Sequence, residues 1–268
     1  MNSDVWRIIE SAQNPQFKVW NDLKDGRGIR KHGLYILSGR KLVPEALALT
    51  TNKNLQEIER FHVEIIDVCC LLVVDPRDAA GLSIPANLER YRITRTLFDK
   101  LDISGTNYPL LVGRVPDLPK ADLTLPPVGL ELVVGLGDPN NLGALMRSAA
   151  AFGTKKLILM DEAAHPFHPK VLRAAANAVY GLQLAKGPKW EALNEAAGPL
   201  VALDGGGADM SKYKWPKNVR IVLGQEGLGL PDDLNVTRLS IPTTGKVESL
   251  NATVAASLAL YAHYSSVG

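Results

Sequence analysis

The sequence predicts an α/β protein with two domains, the second of which is built on a parallel sheet. Of the 268 residues, 46% are hydrophobic, which is enough for one large core or two modest ones. In the second half, short apolar runs alternate with helical patterns, as is typical of parallel strands covered by helices on both faces. A polar stretch that separates the two halves is punctuated by Pro109, Pro116, Pro119, Pro126 and Pro127.

The first domain is expected over residues 1–115 and a linker over 116–127. Helical and strand patterns are mixed in the first domain, which indicates a smaller α/β unit. Its helices are predicted over 5–12, 43–49 and 87–99, and its strands over 34–37, 71–74 and 110–115.

The second domain is expected over residues 128–268. Each predicted strand is a run of mainly apolar residues, and glycine or polar residues follow it, as expected of loops that leave buried strands. Strands are predicted over 130–134, 156–160, 200–203 and 220–223, and helices over 142–152, 169–179 and 250–264.

Charge is nearly balanced, with 30 basic and 28 acidic residues, so its distribution is more informative than its sum. Residues 18–41 contain seven basic and two acidic residues and are interrupted by glycines. This pattern predicts a flexible basic loop suited to phosphate contacts, and a solvated basic surface is the alternative. The candidate phosphate-binding residues are Arg27, Arg30, Lys31 and Arg40. A second basic group, on a predicted helix, is expected to be ordinary surface and contains Arg90, Arg92, Arg95 and Lys100.

Composition also bears on compartment and on metals. The first residues show no signal-peptide pattern, and no apolar run is long enough to span a bilayer, so a cytoplasmic protein is expected. The adjacent Cys69 and Cys70 are expected to be buried free thiols. His165 and His168 have no further ligand at metal-binding spacing, so no metal site is predicted.

The first of three loop motifs, at residues 138–147, allows two interpretations. Gly135 and Gly137 stand between a strand and a helix, as in a dinucleotide-binding fingerprint, and Asp161 ends the next strand. The third glycine of that fingerprint is absent, which disfavours a nicotinamide-dependent oxidoreductase.

In the second interpretation of this motif, Asp138 and Pro139 form a turn and Asn140 or Asn141 caps the following helix. Arg147 then lies on that helix, directed back toward the loop.

Two further motifs follow later apolar runs. Residues 223–231 form a glycine-rich loop in which Glu226 is the carboxylate, and glycines allow the backbone to approach a ligand closely. Residues 241–251 contain Ser249, Leu250 and Asn251, which offer a hydroxyl, an apolar wall and an amide within one helical turn.

Together and in this order, the three motifs resemble the SpoU-type RNA 2′-O-ribose methyltransferases of the SPOUT superfamily. The resemblance is strong over 128–268 and weaker over 16–115, which is similar to an L30e-like substrate-recognition domain. It implies a deep trefoil knot in the catalytic domain, a homodimer formed through that domain, and S-adenosyl-L-methionine as cofactor. This chain departs from the usual family pattern at Ser148, Thr243 and Ala252.

The resemblance assigns catalytic roles to Asn141, Arg147, Glu226 and Ser249. Arg147 is expected to bind a phosphate and stabilise the developing alkoxide, since an arginine free base is costly. Glu226 is expected to orient Arg147 or relay the proton. The implied cofactor-binding residues are Leu203, Asp204, Gly205, Gly224, Glu226, Ile241, Thr243, Ser249, Leu250 and Asn251.

The resemblance implies RNA as the substrate, with ribosomal RNA favoured over transfer RNA. Arg27, Arg30, Lys31 and Arg40 then become candidate RNA contacts. A catalytically silent RNA-binding relative is a second hypothesis, and the presence of Asn141, Arg147, Glu226 and Asn251 argues against it.

Overall fold

The computed structural model describes residues 5–51, 66–225, 227, 229–231 and 233–267. The chain divides into two compact units. Unit 1 comprises Met1–Asp117 and His165–Gly181, and unit 2 comprises Leu118–Ala164 and Leu182–Gly268. The first break lies close to the expected end of the first domain, whereas nothing in the sequence indicated that His165–Gly181 belongs to unit 1. In the described part of the chain, no helix is long and apolar enough to cross a bilayer.

Unit 1 contains a mixed five-stranded sheet in the order β1-β4-β3-β5-β2. Strands β1, β4 and β3 are parallel, and β5 is antiparallel to both of its neighbours. The strands are β1 (Arg7–Ile9), β2 (Leu34–Leu37), β3 (Asp67–Val73), β4 (Glu89–Ile93) and β5 (Leu110–Arg114). The helices in this part of unit 1 are α1 (Pro15–Asp22), α2 (Gly26–His32), α3 (Leu42–Thr51) and α4 (Arg95–Leu101).

The predicted flexible basic loop is wrong, because a helix, α2, forms there. Asp25 caps this helix by accepting hydrogen bonds from the backbone N–H groups of Arg27 and Gly28, both at 2.9 Å. Gly33 ends it in the left-handed conformation, with φ of 62°. Gly28 lets α2 pack closely on the end of α1, since a Cβ there would overlap the Asp22 carbonyl.

Two predicted helices of the first domain are also wrong. Residues 7–9 form the short strand β1, and the segment predicted as one helix over 87–99 is the strand β4 followed by α4. In β4 the burial alternates, so that Tyr91 and Ile93 face the core while Arg92 is exposed. Buried and exposed side chains therefore alternate with the two-residue period of a strand, although the charges of this segment suggested the surface of a helix.

The segment His165–Gly181 packs on unit 1 through aromatic side chains. The Tyr35 ring on β2 lies 5.0 Å from the Phe167 ring, and its hydroxyl is 3.5 Å from that of Tyr180. Gly113 makes room for Tyr35, because a Cβ there would approach the ring to 2.5 Å. Burial raises the pKa of the Tyr180 hydroxyl to about 12. The helix α6 (Pro169–Ala175) ends before the predicted 179.

Unit 2 contains a six-stranded sheet in the order β11-β9-β10-β6-β7-β8, and every neighbouring pair is parallel. The α/β class with a parallel sheet is confirmed. The sheet consists of β6 (Leu130–Val134), β7 (Lys156–Leu159), β8 (Gln183–Lys186), β9 (Leu200–Asp209), β10 (Val219–Leu223) and β11 (Thr237–Ser240). The two strands at the edges, β8 and β11, were not predicted, because each is four residues long and has polar residues at its ends.

Two long helices of unit 2 pack on each other, α5 (Pro139–Ala151) and α7 (Ala252–Val267). The cap of α5 is Asp138, which accepts from the backbone N–H groups of Asn140 and Asn141, each at 2.9 Å. The cap predicted at Asn140 or Asn141 is therefore wrong.

Arg220 lies at the amino-terminal end of this sheet and connects it to neighbouring chain segments by hydrogen bonds. Its side chain is 2% exposed, and its Nε donates to Glu131 at 2.8 Å. The two Nη atoms donate to the carbonyl oxygens of Leu123, Leu125 and Ala197. The stretch expected as a linker is thus hydrogen-bonded into unit 2. Because its donors meet acceptors, this buried cation avoids most of the penalty of an unpaired charge.

Candidate active site

A pocket with a cavity volume of about 290 Å³ opens beside the middle of β9 and the carboxyl ends of β10 and β11, its two neighbours in the sheet. Ligands of parallel α/β sheets commonly bind at this end. Its walls combine apolar side chains with glycine backbone and a few polar groups. The lining residues are Leu203, Asp204, Gly205, Leu223, Gly224, Gln225, Gly229, Leu230, Leu239, Ile241, Thr243, Glu248, Ser249, Leu250, Ala252 and Ala255.

The first wall forms because β9 bulges away from β11. The pairing register jumps from Ala202–Arg238 to Ala208–Leu239, so residues 203–207 extend out of the ladder. Gly207 closes this bulge, since a Cβ there would lie 2.5 Å from the backbone carbon of Arg238. Leu203, Asp204 and Gly205 consequently reach the pocket.

The second wall is the loop after β10. Gln225 and Gly229 exchange backbone hydrogen bonds of 3.0 and 2.9 Å, which closes the loop. Gly224 is required there, because a Cβ would overlap the Gly229 carbonyl. Glu226, also in this loop, lies outside the described residues, and its role stays a prediction.

Asp204 is held by two neighbours at the pocket. Its Oδ1 accepts from the Gly206 backbone N–H at 3.0 Å, and its Oδ2 accepts from Arg238 at 2.5 Å. These two contacts lower the pKa of the Asp204 carboxyl, the Gly206 hydrogen bond having the larger effect. Arg238 also donates to the Pro231 carbonyl at 3.0 Å, so it joins the β9 bulge to the end of the glycine-rich loop.

The structure gathers most of the predicted cofactor-binding residues around this one pocket. Those that line it are Leu203, Asp204, Gly205, Gly224, Ile241, Thr243, Ser249 and Leu250. Asn251 is not among the lining residues. Its Oδ1 caps α7 by accepting from the backbone N–H groups of Thr253 and Val254.

The first and third motifs meet at the start of α7. Asn251 Nδ2 donates to Asn141 Oδ1 at 3.3 Å, and Thr253 Oγ1 donates to the Asn141 carbonyl at 2.9 Å. Further along the same two helices, the Ser257 hydroxyl on α7 donates to the Ser148 hydroxyl on α5 at 2.8 Å. These contacts fix Asn141 beside the third motif.

Arg147 lies on the exposed face of α5. It makes no hydrogen bond or ion pair with any residue that the structure describes. Its guanidinium is therefore available to a bound anion. Ser249 is also exposed and lines the pocket.

The sequence analysis did not name several residues that line the pocket, nor Arg238, which contacts the lining residue Asp204. Gln225 and Glu248 belong to the second and third motifs, so their position beside strand ends was a usable signal. Arg238 and Leu239 belong to the unpredicted strand β11.

The four candidate RNA contacts are exposed in unit 1. Arg27, Arg30 and Lys31 lie on α2, and Arg40 precedes α3. Lys31 pairs with Asp22 at 3.2 Å, and the Arg40 guanidinium lies 6.0 Å from the centre of the Tyr108 ring. Within the described ranges, no group of three or more His, Cys, Asp and Glu side chains is arranged to hold a metal ion.

Known proteins resemble both the sequence and the fold. Residues 131–261 match the model of the SpoU rRNA Methylase family. The chain is 36% identical over 264 residues to the ribosomal RNA small subunit methyltransferase G 2 of Syntrophobacter fumaroxidans. This alignment covers 98% of the chain but only 50% of that relative, so the chain spans half of the relative's length. It is 27% identical to the 23S rRNA (guanosine(2553)-2′-O)-methyltransferase RlmP of Bacillus subtilis, covering 94% of the chain and 97% of that relative.

A solved structure shows the same fold. The AdoMet-bound rRNA methyltransferase from Sinorhizobium meliloti aligns with a TM-score of 0.74 at 21% identity, over 96% of this chain and 97% of that one. The sequence match contains the three loop motifs and most of the pocket-bearing sheet. Residues 131–261, within which all three motifs lie, therefore form a domain of the SpoU methylase family.

Proposed function

We propose that this chain methylates a ribose 2′-hydroxyl in RNA, with S-adenosyl-L-methionine as the methyl donor and ribosomal RNA favoured over transfer RNA as the substrate. The observation that carries the proposal is the pocket where the second and third motifs meet, within the range that matches the SpoU family. The full-length similarity to a relative named as a 2′-O-methyltransferase of 23S rRNA supports ribose as the acceptor and rRNA as the substrate.

The pocket residues fit this cofactor. The cavity volume of about 290 Å³ lies just below the usual range for ligand pockets, about 300–1,000 Å³. Apolar side chains such as Leu203, Leu239 and Ile241 would surround the adenine. The backbone at Gly205 is open, since nothing lies within 4 Å of a Cβ built there. When bound, the cofactor supplies an electrophilic methyl group on a sulfonium.

The chain's own residues position the acceptor. The Arg147 guanidinium, which has no ion-pair partner among the described residues, would bind the adjacent phosphate and stabilise negative charge on the 2′-oxygen as its proton leaves. Arginine is too basic to be the ordinary proton acceptor, so Glu226 is proposed to orient Arg147 or relay the proton. Asn141, fixed by Asn251, and Ser249 would donate hydrogen bonds to the ribose or its phosphate.

We also propose a homodimer formed through the catalytic domain. Val254, Leu258 and Tyr261 follow one another at helical spacing on α7 and are 49%, 41% and 56% exposed. A row of exposed apolar residues of this kind is typical of an interaction surface.

The finer architecture belongs to the same proposal. The catalytic domain, expected over 128–268, would contain a trefoil knot. The first domain, expected over 1–115, would be L30e-like and bind RNA through Arg27, Arg30, Lys31 and Arg40. Of the expected linker at 116–127, residues from Leu118 on belong to unit 2. The exposed positions of these four residues support their role. A cytoplasmic location follows from an RNA substrate of this kind.

The proposal is tested by incubating the protein with labelled S-adenosyl-L-methionine and unmodified rRNA or tRNA, then digesting the RNA to nucleosides. We expect label in a 2′-O-methylated nucleoside of rRNA. Arg147→Ala should lower the rate by about 10²–10³-fold, as for loss of a group that stabilises an oxyanion. Arg173→Ala, which also removes an exposed arginine from a helix, is the matched control.

Other outcomes would change the assignment. Label in a base would exclude the ribose as acceptor, and label in tRNA alone would replace the proposed substrate. Cofactor binding without transfer to either RNA would favour a catalytically silent RNA-binding protein.

A further inference from the structure

The described pocket lining contains two ionisable side chains, and both are acidic. They are Asp204 on the β9 bulge and Glu248 in the third motif. No lysine, arginine or histidine is among the described lining residues. The net charge of this part of the pocket wall therefore depends on whether each carboxylate is paired with a cationic side chain.

The charge of Asp204 is compensated. Its Oδ2 pairs with Arg238 at 2.5 Å, and its Oδ1 accepts from the Gly206 backbone at 3.0 Å. Since the ion pair is neutral as a whole, Asp204 contributes little net field to a ligand in the pocket.

Glu248 differs from Asp204 in this respect. Its side chain is exposed, and it makes no hydrogen bond or ion pair with any described residue. It therefore places an uncompensated negative charge on the pocket wall. Partial exposure weakens the field of this charge by solvent screening but does not cancel it at short range.

We propose that Glu248 determines specificity by charge, so that the pocket prefers the cationic methyl donor to its neutral demethylated product. This inference rests on the proposed function, because it requires S-adenosyl-L-methionine as the cofactor. During transfer the bond between methyl and sulfur breaks, and its electron pair stays on sulfur. A sulfonium thereby becomes a neutral thioether, and Glu248 loses a favourable interaction as the product forms.

This charge preference has a consequence for turnover. The donor and the product, S-adenosylhomocysteine, share the adenosine and amino-acid portions and differ at sulfur by one methyl group and one charge. Apolar contacts with those common portions hold both molecules equally. An uncompensated carboxylate is thus a means of holding the donor while allowing the product to leave.

The experiment measures dissociation constants of S-adenosyl-L-methionine, S-adenosylhomocysteine and sinefungin, a cationic analogue that does not transfer a methyl group, by calorimetry on the full chain. In Glu248→Gln, we expect the ratio of the product's dissociation constant to the donor's to fall about three- to tenfold, as estimated for one screened charge at short range. Sinefungin should weaken together with the donor. Glu195→Gln, an exposed carboxylate outside the pocket lining, should leave the ratio unchanged.

A second variant gives an effect of the opposite sign. Arg238→Gln removes the cation that pairs with Asp204. The ratio of the product's dissociation constant to the donor's should therefore rise, because the pocket wall becomes more negative. In the wild type, about 0.5 M salt should lower the ratio, since screening shortens the range of charge interactions.

The outcomes separate the inference from the function on which it rests. If Glu248→Gln weakens donor and product equally, or changes neither, the inference is overturned while the cofactor assignment stands. If Glu226→Gln alone shifts the ratio, the selecting carboxylate is Glu226 and the inference is overturned. If the wild type binds neither donor nor product, the proposed function itself fails.

Discussion

Two arginines lie at opposite ends of the parallel sheet of unit 2 and make different kinds of contact. Arg220, at the amino-terminal end, has a side chain that is 2% exposed and is hydrogen-bonded to Glu131 and to backbone carbonyls. Arg238, at the pocket end, has a side chain that is 26% exposed and contacts Asp204 and one backbone carbonyl.

The difference separates the buried end of this sheet, where ionic contacts stabilise the fold, from the end at which the pocket opens. A buried ion pair is costly to break, because the remaining partner stays charged in a place without water. A pair near solvent is cheap to break, because water replaces the lost partner. The polar side chains at the pocket end, such as Asp204 and Arg238, can therefore be substituted with little loss of stability.

The largest expected effect is at the buried end. Arg220→Met should lower the free energy of unfolding by about 3–5 kcal/mol, because Glu131 would remain buried without its main partner. Urea unfolding followed by circular dichroism measures this change. The double variant Arg220→Met with Glu131→Met should recover much of the loss, since it leaves no unpaired buried charge there.

Arg238→Met is the matched substitution at the pocket end. It should lower the free energy of unfolding by less than about 1 kcal/mol, as expected for a pair near solvent. Equal losses at the two positions would contradict the division of the sheet into a stabilising end and a pocket end.

An effect smaller than that of Arg220→Met is expected where the first and third motifs meet. Asn251→Ala removes the cap of α7 and should lower the free energy of unfolding by about 1 kcal/mol. Asn251→Asp keeps the cap acceptor but cannot donate to Asn141, so it should retain most of the stability and lose methyl transfer. Asn140→Ala, at an exposed position nearby, is the control. If Asn251→Asp transfers methyl groups at the wild-type rate, positioning of Asn141 by this contact is excluded.

The smallest expected effect is the pH dependence of Asp204. Its pKa in the folded protein is lowered from the ordinary 3.8, so its contribution to stability is present above that value and is lost as pH falls through the lowered pKa. Solvent screening limits this contribution to less than about 1 kcal/mol. Unfolding curves from pH 7 to pH 2 should show an acid loss that is smaller in Asp204→Asn. An equal loss in both proteins would mean that Asp204 is not stabilised in the fold.

The sequence predicted what depends on short patterns. Residues 130–134 form a strand as expected, since five consecutive buried residues suit a central parallel strand. The loop after β10 could be recognised as a candidate ligand-binding loop because glycines follow an apolar run. Leu203, Asp204 and Gly205 were named only through the family resemblance, since no local pattern shows the bulge that brings them to the pocket.

The sequence could not predict contacts that depend on distant residues. Arg220 stands in an apolar run, and its partner Glu131 is 89 positions away, so no local pattern shows that the two meet. The helix α2 was missed because its two glycines, a third glycine directly after it and its basic residues are typical of loops. Its cap at Asp25 and its packing on α1 decide the outcome instead. Whether the residues named in the three motifs perform the assigned chemistry stays a prediction.

The placement of His165–Gly181 in unit 1 has a consequence for protein engineering. The chain passes between the units three times, at 117–118, 164–165 and 181–182, so neither unit is one contiguous stretch of sequence. A truncation after Asp117 would strip Tyr35 of Phe167 and Tyr180, and the remaining half would carry their apolar surface into solvent. Exchange of unit 1 between relatives would therefore require both pieces to be transplanted together.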